Sequence, residues 1–316
     1  MAITLRQLSY FAALAEEGSF VRAAARVNVT QPALSMQIKE MEEQLGLLLV
    51  ERGSRETRLT PAGRDVLQRG ARVLAEVREI EGIGRRQGQG GRVNLGIIPT
   101  VAPYLLPPVL ARMGGVSREL RLREARTERL LEELGTGALD AVVIARPAAR
   151  DADLAAERLF TDRFVLAGSA ARMSGLRVET LRPVALDPDH LLLLDEGHCL
   201  ADQALEVCGL TRRQMRVDLG ASSLSTLVGL VAQGFGLTFL PEIALRVEAA
   251  AAPGMRLARF AAPEPAREIA LVRRQATPRE GWFTELAEVM TAASQELLEA
   301  ADNLLPPRGD ALVRPG

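Results

Sequence analysis

Ser19-Phe20-Val21-Arg22-Ala23-Ala24-Ala25-Arg26-Val27-Asn28-Val29-Thr30-Gln31-Pro32-Ala33-Leu34-Ser35-Met36-Gln37-Ile38-Lys39 is the stretch that decides the fold of this chain. Ser19 is placed to cap a short helix from Phe20 to Arg26, and Val27-Asn28-Val29 makes a tight turn. Thr30 then caps a further helix whose opening turn holds Gln31-Pro32, where proline's missing N–H costs little. At 100° per residue, Leu34, Ile38, Met41 and Leu45 share one narrow arc, the stripe that faces a core. Pro32, Ser35, Met36 and Lys39 lie to one side of it. Helix, tight turn and helix, with short polar side chains opening the last, is the arrangement that enters the major groove of duplex DNA. An αα-hairpin in a helical bundle has the same spacing, so both readings stand at this point.

Upstream, Thr4 and Gln7 match a capping box, Leu5, Leu8, Phe11 and Ala15 recur at helical spacing, and Gly18 suits a C-cap. Downstream, residues 52–60 alternate weakly and carry Arg52, Arg55 and Arg58 beside Gly53. They read as a small hairpin wing whose arginines meet phosphate or the minor groove, or as a solvated basic loop. From Pro61 to about Arg86 the pattern is helical again; Val66, Leu67, Val73, Leu74, Val77 and Ile80 form a seam long enough to want a partner chain. Gln87-Gly88-Gln89-Gly90-Gly91 is a flexible break.

Past that break the texture alternates strand and helix. Strands are expected at Arg92–Ile98, Glu119–Glu124, Leu139–Ala145, Phe164–Ala167, Leu191–Leu194, Arg216–Leu219, Leu237–Leu240 and Glu268–Arg273. Helices are expected at Leu105–Met113, Glu128–Leu134 and Leu224–Gln233. This is α/β architecture, in which ligands gather at the carboxyl ends of strands. The domain plan is a helical head at 1–60, a linker helix and hinge at 61–91, an α/β domain at 92–304, and a loose tail at 305–316 rich in proline and glycine.

A length of 316 residues has room for two or three modules, and 47% hydrophobic with 25% charged residues excludes disordered and fibrous classes. The formal charge of −1 gives no global case for nucleic acid or membrane. Residues 1–92 nonetheless hold 14 Lys/Arg against 11 Asp/Glu, a mildly basic head on an acidic body. The start has no basic region followed by an apolar core, and no apolar run approaches the ~18 residues of a membrane span, so a cytoplasmic protein with no membrane partner is expected. Two cysteines are too few for a disulfide framework, and in a reducing compartment both rest as thiols.

The head carries Ser19-Phe20, Ala23-Ala24, Val29-Thr30-Gln31-Pro32-Ala33-Leu34-Ser35, Ile38, Leu45-Gly46, Glu51-Arg52 and Leu59-Thr60-Pro61-Ala62-Gly63. In these residues it resembles the LysR-type transcriptional regulators. The resemblance implies a winged helix-turn-helix head, a long dimerising linker helix and a two-lobed α/β sensor domain of periplasmic-binding-protein type, assembled as a dimer of dimers on inverted-repeat DNA, with RNA polymerase a further partner. Ser19, Thr30, Gln31, Pro32, Ser35, Lys39, Arg52 and Arg55 are then the residues that meet DNA.

In the second module, the segment from Gly96 to Pro107, Gly197-His198-Cys199-Leu200, Asp202-Gln203-Ala204, Cys208 and Ser222-Ser223-Leu224-Ser225-Thr226-Leu227 are similar to the OxyR group of peroxide sensors within that family. The resemblance implies that Cys199 is peroxidatic, Cys208 resolving, and that Thr100, Thr127, His198 and Asp202 line a hydrogen peroxide pocket. Arg267 matches a basic position nearby, although Ala266 departs from the arginine expected beside it. On this reading oxidation switches transcription of oxidative-stress genes.

The chemistry fits those residue types. A sensor cysteine needs a stabilised thiolate, access, and help for the departing hydroxide. Leu200 to Val207 reads as helix, so Cys199 lies at its N-terminus, where the dipole favours anions. Thr100 follows a strand and is placed to orient peroxide, with Arg267 or His198 to stabilise charge. If 199–208 is helical, its ends stand about 13.5 Å apart, whereas a disulfide needs Cα atoms about 4.4–6.8 Å apart. The bond then requires this segment to unwind, a two-state switch. Taken singly, each residue has a blander role: buried cysteines, a cleft histidine, threonine helix caps.

Two other readings remain at this level. In one, a LysR-type regulator binds a small metabolite between its lobes, with Thr100 and Ser222 to Ser225 receiving a carboxylate and the cysteines incidental. In the other, the chain is a thiol peroxidase with a DNA-binding head. It ranks far lower, because no P-loop or dinucleotide turn and no second catalytic group appears. No cofactor is expected, and a Cys-His pair with only His190 beyond it is too thin for a metal.

Overall fold

The computed structural model describes residues 3–52, 57–87, 91–114, 119–145, 153–174, 176, 181–195, 199–211, 221–279 and 281–305. It separates into two compact units, residues 1–88 with 135–138, and residues 89–134 with 139–316.

In the first unit, α1 (Leu5–Glu17) opens on the Thr4–Gln7 capping box and ends at Gly18, whose left-handed φ of 59° a side chain adopts only with strain. α2 (Phe20–Arg26) follows, and Asn28, at φ 54°, turns the chain into α3 (Gln31–Leu45). Thr30 caps α3, its Oγ accepting the Ala33 N–H at 3.4 Å. Ser19 holds the N-cap position of α2, but its hydroxyl makes no cap hydrogen bond, so the expected role of that side chain is corrected. Leu34, Ile38 and Met41 are fully buried with Phe11, Leu14, Ala23 and Ala24, while Leu45 is half-buried at the margin.

The wing is β1 (Val50–Arg52) and β2 (Thr57–Leu59), paired antiparallel with Val50 opposite Leu59. It is pinned by a group the sequence reading missed: Glu42, buried on α3, accepts the Leu49 N–H at 2.7 Å and the Val50 N–H at 3.2 Å through one carboxylate oxygen. α4 (Pro61–Gln87) then starts from Thr60, whose hydroxyl accepts the Gly63 N–H and donates to the Leu48 carbonyl.

The second unit has β3 (Arg92–Ile97), α5 (Ala102–Met113), β4 (Glu119–Glu124), α6 (Thr127–Gly135), β5 (Ala141–Ala145), β6 (Leu154–Ser169), α7 (Ala170–Met173), α8 (Cys199–Cys208), α9 (Leu224–Ala232), β7 (Leu237–Pro241), α10 (Leu245–Ala251), β8 (Met255–Arg259), β9 (Ala266–Arg274) and α11 (Trp282–Asp302). The strands form a curled mixed sheet in the order β4-β3-β5-β9-β6-β7, with β8 also on β6. β3 runs parallel to β4 and β5, while β9 is antiparallel to β5 and β6.

β6 joins the two lobes: residues 154–163 pair with β9, and residues 164–169 continue into a second lobe against β7 and β8. The sequence expectation captured only Phe164–Ala167 of it. Leu191–Leu194 is corrected too: Leu191 bridges Leu237 and Leu194 bridges Ala221, but no strand forms. Arg216–Leu219 lies outside the described residues, as do 306–316, while Leu305 is buried in the core. Among the described residues no helix is long and apolar enough to cross a membrane.

Candidate functional site

Thr100 sits in the turn between β3 and α5, only 2% exposed. Arg267, from β9, reaches it with two donors: Nη1 to Thr100 Oγ1 at 2.8 Å and Nη2 to the Thr100 carbonyl at 3.2 Å. The same guanidinium donates from Nε (3.0 Å) and Nη2 (2.9 Å) to Asp162 Oδ2, and both side chains are wholly buried. Asp162 faces Arg267 across the β6–β9 ladder, and its Oδ1 accepts the Ile243 N–H at 3.1 Å. Burial pushes the Asp162 carboxyl up from its ordinary range, against the pull of Arg267 and of the Ile243 and Glu242 N–H groups. Removing either partner would leave an unpaired buried charge, at about 3–5 kcal/mol.

Thr127 opens α6. Since β3 and β4 are parallel neighbours, with Ile97 opposite Glu124, Thr100 and Thr127 leave the sheet at the same carboxyl edge. The Thr127 hydroxyl oxygen is shielded from solvent with no hydrogen-bond partner among the described residues, and so is Gln203 Oε1 on α8. Such orphaned polar atoms are uncommon and mark strain, water or a ligand.

Cys199 is the first residue of α8, half-buried against the core of the second unit, and Cys208 is the last, 4% exposed; both are free thiols. Nine helical residues put their Cα atoms about 13.5 Å apart. Burial pushes the Cys208 thiol up to about 11. Asp202, one turn along α8, is exposed. His198 lies outside the described residues. Thus Thr100 and Arg267 are in direct contact, while Cys199, packed at the margin of the hydrophobic core, hydrogen-bonds to neither among the described residues.

Sequence reading also missed a carboxylate hub. Tyr104 on α5 donates to Glu248 Oε1 on α10 at 2.6 Å, and Ser225 on α9 donates to the same oxygen at 3.0 Å. Glu248 and Tyr104 are buried, and burial with the Glu248 contact pushes the Tyr104 phenol upward. Nothing in Arg246-Val247-Glu248-Ala249-Ala250 signals such a role. Asp162 left a faint sign, an acid breaking the apolar texture of Leu159-Phe160-Thr161-Asp162-Arg163-Phe164.

In the head, Thr30, Gln31, Pro32 and Lys39 are exposed on α3, and Ser35 is half-buried beside them. Lys39 pairs with Glu43 at 3.4 Å, an exposed contact of little energetic weight. Arg52 ends β1 with its side chain outside the described residues, and Arg55 is wholly outside them.

Residues 5–64 match the bacterial regulatory helix-turn-helix protein family of lysR type, and residues 86–294 match the LysR substrate binding domain. The chain is a LysR-type transcriptional regulator. Among LysR relatives it is 40% identical over 299 residues to a probable hydrogen peroxide-inducible genes activator from Streptomyces viridosporus, covering 93% of this chain and 95% of the relative. It is 37% identical over 295 residues to the HTH-type transcriptional regulator EstR of Acinetobacter baylyi, covering 91% and 96%. A solved LysR-type structure, a cysteine-to-serine OxyR mutant of Corynebacterium glutamicum with hydrogen peroxide bound, superposes with a TM-score of 0.60 at 31% identity, covering 96% of this chain and 98% of that one. The chain is thus an OxyR-like LysR regulator, a transcription factor and not an enzyme. Among the described residues no cluster of three or more His, Cys, Asp or Glu is arranged to hold a metal.

Proposed function

We propose that this LysR regulator responds to hydrogen peroxide through Cys199 and reports the oxidation through duplex DNA. The observation that carries the reading is the placement of Cys199: the first residue of a ten-residue helix, half-open, with the other thiol buried at the far end. A helix N-terminus favours negative charge on a group placed there. In the reaction a sulfur lone pair forms an S–O bond while the O–O bond breaks, its electrons leaving as hydroxide that takes a proton to become water. Sulfur is oxidised by two electrons and peroxide is reduced. The Cys208 thiol gives up its proton, its thiolate attacks the sulfenic sulfur to form the disulfide, the S–O bond breaks, and the expelled hydroxide takes up a proton to become a second water.

Thr100, Thr127, His198, Asp202 and Arg267 form the peroxide pocket on this reading, and Ser19, Thr30, Gln31, Pro32, Ser35, Lys39, Arg52 and Arg55 the DNA face. Because a ten-residue helix separates the sulfurs, the disulfide traps a rearranged α8. A dimer of dimers on an inverted-repeat operator carries that change to oxidative-stress genes and RNA polymerase, in the cytoplasm. The competing reading, a small carboxylate effector bound by Thr100 and Ser222 to Ser225 with the cysteines incidental, is weakened by Ser225 already donating to the chain's own Glu248.

The test is intact mass with differential thiol alkylation before and after one equivalent of peroxide. The expected product is two hydrogens lighter with both thiols lost; one added oxygen would leave Cys208 without a resolving role, and no change would remove the sensor reading. Cys199→Ser should abolish the response, and Cys208→Ser should leave a sulfenic acid that dimedone traps.

A further inference from the structure

We propose that Asp162 is a positioning residue for Thr100: by holding Arg267 as a donor on the Thr100 oxygen, it leaves the Thr100 O–H to donate to the reacting peroxide. This rests on the peroxide reading of Cys199 and adds to it a residue that lies outside the pocket.

The argument is one of hydrogen-bond polarity. A guanidinium only donates, whereas a threonine hydroxyl has one hydrogen and two lone pairs. With Arg267 Nη1 at 2.8 Å, one Thr100 lone pair is occupied by a donor, and the hydroxyl hydrogen must point elsewhere. No acceptor for that hydrogen is found among the described residues, and Thr100 leaves the sheet at the same carboxyl edge as Thr127, whose hydroxyl oxygen has no partner among the described residues.

Arg267 keeps this orientation because four of its five N–H groups are fixed, two on Asp162 Oδ2 and two on Thr100. Asp162 is itself fixed by the Ile243 N–H and by its place opposite Arg267 in the β6–β9 ladder. The pair is wholly buried and self-compensating, so Arg267 acts on the reaction through Thr100. Hydrogen peroxide binds equally well to a donor or an acceptor. Once the O–O bond stretches, negative charge builds on the departing oxygen, and only a donor stabilises it. Loss of one such donor costs about 10²-fold in rate.

The experiment measures, in the full-length chain, the second-order rate of Cys199 oxidation by hydrogen peroxide and of its alkylation by iodoacetamide, which expels no oxygen. Asp162→Asn should slow oxidation about 10²-fold and leave alkylation within about twofold. Thr100→Val should lose the same factor, Thr100→Ser should keep the original rate, and Asp162→Asn with Thr100→Val should be no slower than Thr100→Val alone. Arg267→Gln, whose amide can present an oxygen as well as N–H groups, is run in parallel and should show the same selective loss; it decides the matter if Asp162→Asn fails to fold. Oxidation at the original rate in the folded variant, losses that multiply in the double variant, or equal slowing of both reagents would overturn the assignment of Asp162. If the unaltered chain does not react with peroxide at all, it is the sensor reading that fails.

Discussion

A thiol buried to 4% exposure and pushed up to about 11 is a poor nucleophile, so Cys208 cannot act from where it lies. Only about one part in 10⁴ is thiolate at neutral pH, against a few per cent for a solvated cysteine near 8.5. On the proposed peroxide reading, the rate of disulfide formation from a Cys199 sulfenic acid therefore discriminates two routes. Resolution after α8 opens should rise with pH and level off near 8.5, whereas resolution from the intact helix would climb tenfold per unit toward 11. Acid-quenched alkylation across pH 6–10 should show the plateau. The same shift has a stability consequence. Between the ordinary thiol value and 11 the folded form holds a proton that the unfolded form has lost. Stability is thus full below that window and declines as pH rises through it, and Cys208→Ser should remove this slope from denaturant titrations. The two sulfurs were nominated in the sequence by the resemblance around Gly197-His198-Cys199-Leu200 and Cys208, since a cysteine taken singly reads as a small buried hydrophobe. Glu248 was not legible, because a partner 144 residues away leaves no mark on local pattern, and Asp162, whose partner is 105 residues away, left only the acid itself within Leu159 to Phe164.

Among elements, those whose determinants are local were legible. The bounds of α2 and the start of α3 follow from Thr30, Pro32 and a stripe with one clear period, all within the segment itself. β6 was read at a quarter of its length because Leu154-Ala155-Ala156-Glu157-Arg158 is made of helix formers, and pairing with β9 overrides that preference. α11 went unread despite Phe283, Leu286, Met290, Ala293, Leu297 and Ala301 recurring at helical spacing, a signal that was available.

Gly63 shows a motif residue explained only by packing. A Cβ there would stand 2.1 Å from the Leu49 carbonyl oxygen, backbone against backbone, where α4 crosses the entry to the wing. Gly63→Ala should cost about 1–3 kcal/mol, read as an earlier unfolding of the head by circular dichroism and as weaker operator binding. Glu42→Ala, which strands the Leu49 and Val50 N–H groups, should cost a similar about 1–3 kcal/mol. If either variant melts with the unaltered protein, the wing is not anchored as described.

At the scale of the whole molecule, net charge says little about DNA: the chain is at −1, and binding to an operator has to come from placement and valency. Gln31→Ala and Ser35→Ala should lower discrimination between operator and random DNA, while Arg52→Ala should weaken both and reduce the salt slope by about one unit. Equal effects from all three in anisotropy titrations would deny α3 its reading role. On the proposed dimer-of-dimers reading, valency in turn depends on α4. Val73, Ile80 and Ile83 on that helix are 45%, 67% and 44% exposed, and their spacing of seven and then three residues sets them on one stripe. A second copy of the same helix is the surface such a stripe matches, and it would hold two heads at a fixed distance. Ile80→Glu places a charge in the middle of that seam, so sedimentation should shift toward monomer. Tethering two heads multiplies affinity by about 10²–10⁴ over one head. The variant should therefore lose about that factor on an inverted repeat while binding a single half-site as before. A monomeric variant that still holds the full repeat at the original affinity would show that the heads are paired by another surface.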